Sequence, residues 1–122
     1  MKAMTLIELL IVIIIVGIVV TFAIPEIHQA KEHAIDKEAA ANLKLIRAAE
    51  RLYHIETSTY YASAAILAIN DNLKLFLPAG AERNWDYQVK ASGCAQADRT
   101  KDDKRKWKMA ISDEEPVAGA CS

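Results

Sequence analysis

The apolar residues of this chain are concentrated at its N-terminal end. Leu9–Ile24 is a run of sixteen residues without a charge, and Lys2 and Glu8 are the only charged residues before Glu26. At 1.5 Å per residue this run makes about 24 Å of helix, or about 31 Å counted from Met4, which is enough to cross a hydrocarbon core. The pattern predicts an N-terminal helix suited to a membrane or to the apolar interior of an assembly.

From Glu26 onward the pattern becomes amphipathic. Apolar residues recur every three or four positions, which is typical of a helix with one buried face. The stripe consists of Ala39, Leu43, Ile46, Ala49 and Tyr53, widened by Leu45 and Leu52. We therefore expect one helix from near Thr5 to near Glu56, bent at Pro25 because proline lacks a backbone donor. The side chains of residues 57–59 (Thr-Ser-Thr) compete for backbone hydrogen bonds and are expected to stop it.

The remaining chain is expected to form a small β-containing head. Residues 57–84 are predicted as a connecting loop with a short helix over 64–69, capped by Ser63, and with room for a strand at 73–77. Apolar and polar residues alternate over 85–91 and again over 106–112, which predicts two strands of an antiparallel hairpin joined by a polar loop. The core candidates are Trp85, Tyr87, Trp107, Met109 and Ile111. The expected class is α+β, a long N-terminal helix packed on a small antiparallel sheet.

Composition and charge exclude several classes of function. A hydrophobic content of 52% excludes disorder for most of the chain, and 122 residues are too few for a large multidomain enzyme. The net charge of −1 gives no indication of nucleic-acid binding. The sequence contains no phosphate loop, nucleophile elbow or paired catalytic carboxylates, so we expect neither an enzyme nor a bound cofactor.

Three local clusters suggest chemistry only weakly. Trp107 lies among lysines and arginine, as in a nucleic-acid surface, but interleaved aspartates favour a solvated strand edge. Residues 113–115 (Asp-Glu-Glu) lack the ligand spacing of a calcium loop. The histidines have no i,i+4 partner and no cysteine nearby, so a metal site is not expected. Cys94 and Cys121 can form a disulfide or remain free thiols, and a disulfide is favoured if the head lies on the oxidising side of a membrane.

Glu8 separates the possible roles of the apolar segment. A secretory signal peptide is disfavoured because no A-x-A cleavage pattern follows the apolar run. A plain membrane anchor gains nothing from a carboxylate at its apolar end, because an unpaired buried charge is costly. A subunit that later packs against other copies has a use for it, provided that a positive partner comes from a neighbour.

The N-terminal sequence MTLIELLIVIIIVGIVVTFAIP resembles the start of type IV prepilins and of the pseudopilins of type II secretion systems. The resemblance is strong over residues 1–25, moderate over 26–61 and architectural beyond. It implies a leader of residues 1–3, cleavage between Ala3 and Met4 by a prepilin peptidase, and N-methylation of Met4. It also implies that Glu8 pairs with the Met4 amine of an adjacent subunit. Two residues depart from the family pattern, since Ala3 replaces the customary Gly and Met4 the customary Phe.

The resemblance also implies how the protein is organised and where it works. Residues 4–25 form the transmembrane and filament-core segment, residues 26–56 the amphipathic half, residues 57–84 the connection, and residues 85–122 the hairpin with a disulfide-bounded C-terminal loop. In family filaments the stretch that matches Gly17–Pro25 is often partly unwound, whereas a mild kink is the alternative for the free subunit. Lys2 places the head outside the inner membrane by the positive-inside rule.

The function implied is that of a structural subunit of a type IV pilus-like helical filament. Its partners would be identical subunits, the prepilin peptidase and the membrane assembly machinery, and the product a cell-surface or periplasmic filament. Two alternatives stay open at this stage. One is a pseudopilin of a type II secretion system, and the other is a single-pass membrane anchor that displays a small binding domain and never polymerises.

Overall fold

The computed structural model describes residues 3–101 and 105–122. It confirms the α+β class, with a long N-terminal helix and a small antiparallel sheet. The elements are α1 (Leu6–Thr57), α2 (Ile66–Leu73), β1 (Trp85–Val89), β2 (Ala95–Arg99), β3 (Lys106–Met109) and β4 (Val117–Ala118). The chain divides within α1 into an N-terminal unit that ends at Ala34 and a compact unit of Ile35–Ser122, which we call the head.

Helix α1 has the extent that the sequence predicts. It is one α-helix of 52 residues, and it ends where Ser58 takes a left-handed φ of 61°. The Ser58 N–H donates to the carbonyl of His54 at 2.8 Å, and the Thr57 hydroxyl donates to the carbonyl of Tyr53 at 2.9 Å. The helix therefore ends at residues whose backbone N–H and side-chain hydroxyl donate hydrogen bonds to its last carbonyl groups.

The sheet differs from the predicted hairpin. Its order is β1-β2-β3-β4 with every neighbouring pair antiparallel. Strand β1, which contains Trp85 and Tyr87, pairs with β2 and not with β3, which contains Trp107. The reason is that β2 forms within the segment that was expected to be a polar loop. The alternation of apolar and polar residues in β2 is hard to recognise in the sequence, because the inward residues are the small Ala95 and Ala97.

The core lies between the second part of α1 and the inner face of the sheet. Trp85, Tyr87 and Met109 are buried as predicted, whereas Trp107 and Ile111 are only half-buried. The buried apolar residues are Ile35, Ala39, Leu43, Ile46, Ile69, Leu73, Leu75, Leu77, Trp85, Tyr87, Val89, Ala95, Ala97 and Met109. The indole Nε1 of Trp85 donates to the Ile35 carbonyl at 2.9 Å, so this large side chain is buried with its polar atom satisfied.

The connecting segment also departs from expectation in detail. Helix α2 starts at Ile66 with Ala65 as its N-cap and no side-chain cap, so Ser63 does not cap it. Ser63 instead forms an isolated antiparallel bridge with Val89. No strand covers residues 73–77. There the side-chain amide of Asn70 replaces a strand neighbour, since it donates to the Leu77 carbonyl at 3.1 Å and accepts the Leu77 N–H at 2.9 Å.

Candidate functional site

Glu8 lies in the first turn of α1 and makes reciprocal contacts with Thr5. The Thr5 hydroxyl accepts the Glu8 N–H at 3.3 Å, and the Glu8 carboxylate accepts the Thr5 N–H at 3.4 Å through Oε2. This is the capping box, in which Ser or Thr and a Glu three residues later satisfy each other's exposed donors. The T-x-x-E spacing of Thr5 and Glu8 carries this information in the sequence itself.

The residues of the expected cleavage site are exposed. Ala3 and Met4 precede α1 in extended or irregular backbone, and Met4 is 60% exposed. Met1 and Lys2, which complete the expected leader and supply its positive charge, lie outside the described residues. A peptidase that cuts after Ala3 would meet an exposed, non-helical peptide bond directly before the first turn.

The uncharged segment of α1 has no partner within the described chain. The large apolar side chains from Leu9 to Ile24 are between 43% and 74% exposed. Among the described residues α1 is the one helix long and apolar enough to cross a membrane, and none of its apolar window is buried. So large an apolar surface marks a site for lipid or for another protein, although a signal sequence has the same length and composition.

Gly17 and Pro25 lie inside a continuous α-helix. The hydroxyl of Thr21 donates to the Gly17 carbonyl at 2.8 Å, a back-bond that accompanies helix bending. A Cβ at Gly17 would meet no atom within 4 Å, so the chain itself gives this glycine no packing role. The local unwinding that the resemblance implies concerns the assembled state and stays a prediction.

Cys94 and Cys121 are joined in a disulfide with their Cα atoms 6.1 Å apart. The bond lies beside the sheet, where the Cys121 N–H donates to Gln96 Oε1 at 2.8 Å. The tail between the cysteines is also held by the head part of α1. Lys44 pairs with Glu115 at 2.7 Å, Arg47 donates to the Asp113 carbonyl, and Arg51 donates to the Ile111 carbonyl at 3.0 Å. Their partners lie 60 to 71 residues away along the chain, so sequence periodicity could not identify them.

The clusters of charge have structural partners. Arg105 pairs with Asp36 at 2.8 Å and Lys106 with Asp98 at 3.3 Å, so these two basic residues near Trp107 form ion pairs within the head. Asp113 accepts the Ala110 N–H at 2.8 Å. No group of three or more potential metal ligands occurs in residues 3–101 and 105–122. The described part of the chain does not include residues 102–104, which supply Lys104 to the basic cluster and two of its interleaved aspartates.

Two buried groups of the head have displaced pKa values. Burial raises the pKa of the Glu50 carboxyl to about 7, and the hydrogen bond from the Tyr61 N–H opposes that rise. Burial raises the pKa of Tyr87 to about 12, with the hydrogen bond from Asn42 opposing it and the nearby Glu38 charge adding to it. Each group is held by a hydrogen bond inside the head, Glu50 by the Tyr61 N–H and Tyr87 by Asn42, so both are interpreted as structural.

Comparison with known proteins adds no assignment. No protein-family model matches the chain, and neither a curated protein nor a solved structure matches it. The class defined by the fold is therefore an α+β protein whose long N-terminal helix carries a membrane-compatible apolar segment and whose head is closed by a disulfide.

Proposed function

We propose that this chain is the structural subunit of a type IV pilus-like helical filament. It is stored in the inner membrane with the head outside, cleaved between Ala3 and Met4, N-methylated on Met4, and assembled through its apolar helix. The observation that carries the proposal is the exposed, uncharged Leu9–Ile24 surface with a single carboxylate, Glu8, directly at its start. The resemblance of residues 1–25 to prepilins supports the same function.

The driving force would be burial of this surface against equal surfaces of neighbouring copies. In the membrane this apolar surface is covered by lipid, and in the filament the packed helices of neighbouring copies would cover it instead. Glu8 would help to set the register between neighbouring helices. Once water is excluded, its negative charge needs a positive partner, and the Met4 amine of a neighbouring copy supplies one. The Glu8 carboxylate accepts the Thr5 N–H and the Thr5 hydroxyl through Oε2 alone, which leaves Oε1 for a partner from another copy.

The capping box gives one observation in favour of a second candidate. A single-pass anchor that displays the head and never polymerises would need Glu8 only to cap α1. The two functions differ in what they require of the side chain, since capping needs an acceptor and pairing with an amine needs a charge.

Two substitutions separate these requirements. Glu8→Gln keeps an acceptor at the third helical position but removes the charge, and Thr5→Ala removes the capping hydroxyl but keeps the carboxylate. In a host with prepilin peptidase and pilus assembly machinery, we expect Glu8→Gln to lower sheared filament yield by about tenfold or more. Thr5→Ala should keep most of the wild-type yield. Filaments are counted by electron microscopy, with equal membrane levels of both variants as the control.

The possible outcomes decide between the two candidates. Wild-type filament yield from Glu8→Gln would refute the ion pair. Absence of filaments from the wild-type chain, under conditions where it is membrane-inserted and processed, would favour the non-polymerising anchor.

A further inference from the structure

The head part of α1 has a second apolar face, which the head does not cover. The face that packs on the sheet contains Leu43 and Ile46, both fully buried. Leu45 and Leu52, which the periodicity adds to that stripe, are instead 47% and 60% exposed, because at about 3.6 residues per turn they lie on the far side of the helix. A helix that packs on one domain needs a single apolar face, and its other face is typically polar. The exposed face therefore indicates a contact with a partner outside the head.

The residues of this exposed face follow a heptad spacing. Successive members lie four, three, four and three positions apart, which is the a/d pattern of a coiled-coil seam. Leucines occupy the a positions, and the small residues at two of the d positions let a second helix approach closely. We call this surface the α1 seam, and its members are Ala41, Leu45, Ala48, Leu52 and Ile55. The spacing indicates another α-helix as the partner.

We propose that the α1 seam pairs two copies of this chain side by side in the membrane, before any filament forms. The inference rests on the membrane insertion that the proposed function includes, but it does not require polymerisation. Copies inserted in one membrane have the same orientation, so α1 runs outward in each of them. Identical seams on parallel helices can meet across a two-fold axis, as in an isologous contact.

Charges beside the α1 seam favour a parallel pair of identical helices. In the heptad Arg51 is at position g and Glu56 at the following e, and these positions face each other between parallel helices. Arg51 donates to the neutral carbonyl of Ile111, and neither Arg51 nor Glu56 has an ion-pair partner among the described residues. Lys44, at the preceding g position, is already paired with Glu115. The two charges that a second copy would bring together are therefore the ones left available, and they favour correct register.

The α1 seam is short, so we expect the pair to be weak in solution and stable only where insertion concentrates the chain. Its members span about two heptads, fewer than an independent coiled coil has. Two features favour the pair in spite of this. Helix α1 is already formed and packs on the head core, so pairing requires no folding of the helix. Both copies are also held in one membrane in the same orientation, which raises their effective concentration.

Cysteine crosslinking in membranes tests the contact directly. The full chain carries one added cysteine, either in the seam (Ala48→Cys or Leu52→Cys) or at an exposed control position on α2 (Leu67→Cys). The native cysteines are bonded to each other, so the added thiol is the one available for crosslinking, and peptide mapping verifies its linkage. Residues at a and d face their own counterparts in a parallel pair. We expect mild oxidation to give at least about fivefold more disulfide-linked dimer from each seam position than from position 67.

The host for this experiment lacks pilus assembly machinery, so the result does not depend on filaments. Equal dimer yields from positions 52 and 67 would show random collision and overturn the inference. Absence of dimer from position 52, with its thiol protected from a water-soluble maleimide, would show that lipid covers the seam and would overturn it too. Normal wild-type filaments without seam crosslinks would overturn this inference alone. Seam crosslinks from a chain that forms no filaments would support this inference and overturn only the proposed function.

Charge reversal gives a second, independent test. In the Leu52→Cys background, Glu56→Lys brings two cations together in each of the expected contacts and should lower the dimer yield by about threefold. Adding Arg51→Glu restores opposite charges with their positions exchanged and should return the yield to its original level. Glu82→Lys is the matched control, since the Glu82 side chain is almost fully exposed in the loop before β1, and should change nothing. A loss that Arg51→Glu does not reverse would contradict the parallel register.

Discussion

The carboxylate of Glu50 accepts the backbone N–H of Tyr61 at 3.0 Å from a fully buried position in α1. This bond fixes the chain where it returns to the head after the end of the helix. The second oxygen, Oε1, has no hydrogen-bond partner among the described residues. A buried carboxyl with one donor is costly to ionise, which explains why its pKa is raised to about 7.

We expect the head to lose stability as the pH rises through neutrality. The pKa of Glu50 is about 7 in the folded protein and 4.5 when unperturbed, so between these values the folded state binds a proton that the unfolded state has released. The free energy of unfolding should fall as the pH rises from about 5 to 8, by about 3 kcal/mol in total. Urea unfolding of the full chain in detergent, followed by tryptophan fluorescence, measures this change.

Glu50→Gln is the control because it resembles the protonated acid at every pH. We expect wild type and Glu50→Gln to have similar stability at pH 5, and the variant to be more stable by about 3 kcal/mol at pH 8.5. The difference between the two proteins removes the contribution of other titrating groups. A difference that does not change with pH would contradict the raised pKa.

Gly93 permits a close packing that no other residue allows. It has a φ of +81°, and a Cβ built there would lie 2.6 Å from Cγ1 of Ile111 and 3.1 Å from the ring of Tyr60. Gly93→Ala should therefore destabilise the head by about 2–4 kcal/mol, from backbone strain and overpacking together. Gly80→Ala is the matched control, since a Cβ there meets nothing within 4 Å. Equal urea midpoints for the two variants would contradict the expectation.

The disulfide is expected to account for a large share of the stability of so small a head. It closes a loop between residues separated by 27 positions, so replacing both cysteines by serine should destabilise the head by about 3–4 kcal/mol on the chain-entropy model. Urea unfolding of wild type with and without reductant provides the comparison. The serine variant is its control, because reductant should leave that protein unchanged. A wild-type midpoint that reductant does not shift would show that Arg47, Arg51 and β4 hold the tail without it.

Much of the fold follows from periodicity in the sequence. The charge-free run and the stripe of Leu43 and Ile46 predict α1 almost to its last residue. Alternation about Trp85 and Tyr87 predicts β1. These patterns succeed because each element buries large apolar residues on one face, and that constraint is visible without knowledge of its neighbours.

What the sequence could not predict depends on partners distant along the chain. Strand β2 has small inward residues and polar outward ones, and it is stabilised by pairing on both sides rather than by its own propensity. A short strand was possible over residues 73–77, but the side chain of Asn70 supplies backbone hydrogen bonds to Leu77 instead. The capping box of Thr5 and Glu8 is different, because it joins residues three positions apart and follows from the local sequence.

The proposed cleavage between Ala3 and Met4 depends on the residue that precedes the bond. The peptidase cut is expected to require a small residue before the bond, and Ala3 stands where the prepilin pattern has Gly. Ala3→Leu should therefore block cleavage and leave the chain uncut in the membrane, whereas Ala3→Gly should be cleaved at least as fast as wild type. Intact-mass measurement of the membrane fraction after a pulse of synthesis distinguishes the uncut chain from one that begins at methylated Met4. A mature Met4 terminus in Ala3→Leu, or an intact leader in wild type when the peptidase is present, would refute the assigned site. Because Met4 can supply its amine to Glu8 only after the cut, Ala3→Leu should also form no filaments, although its helix and head are unchanged.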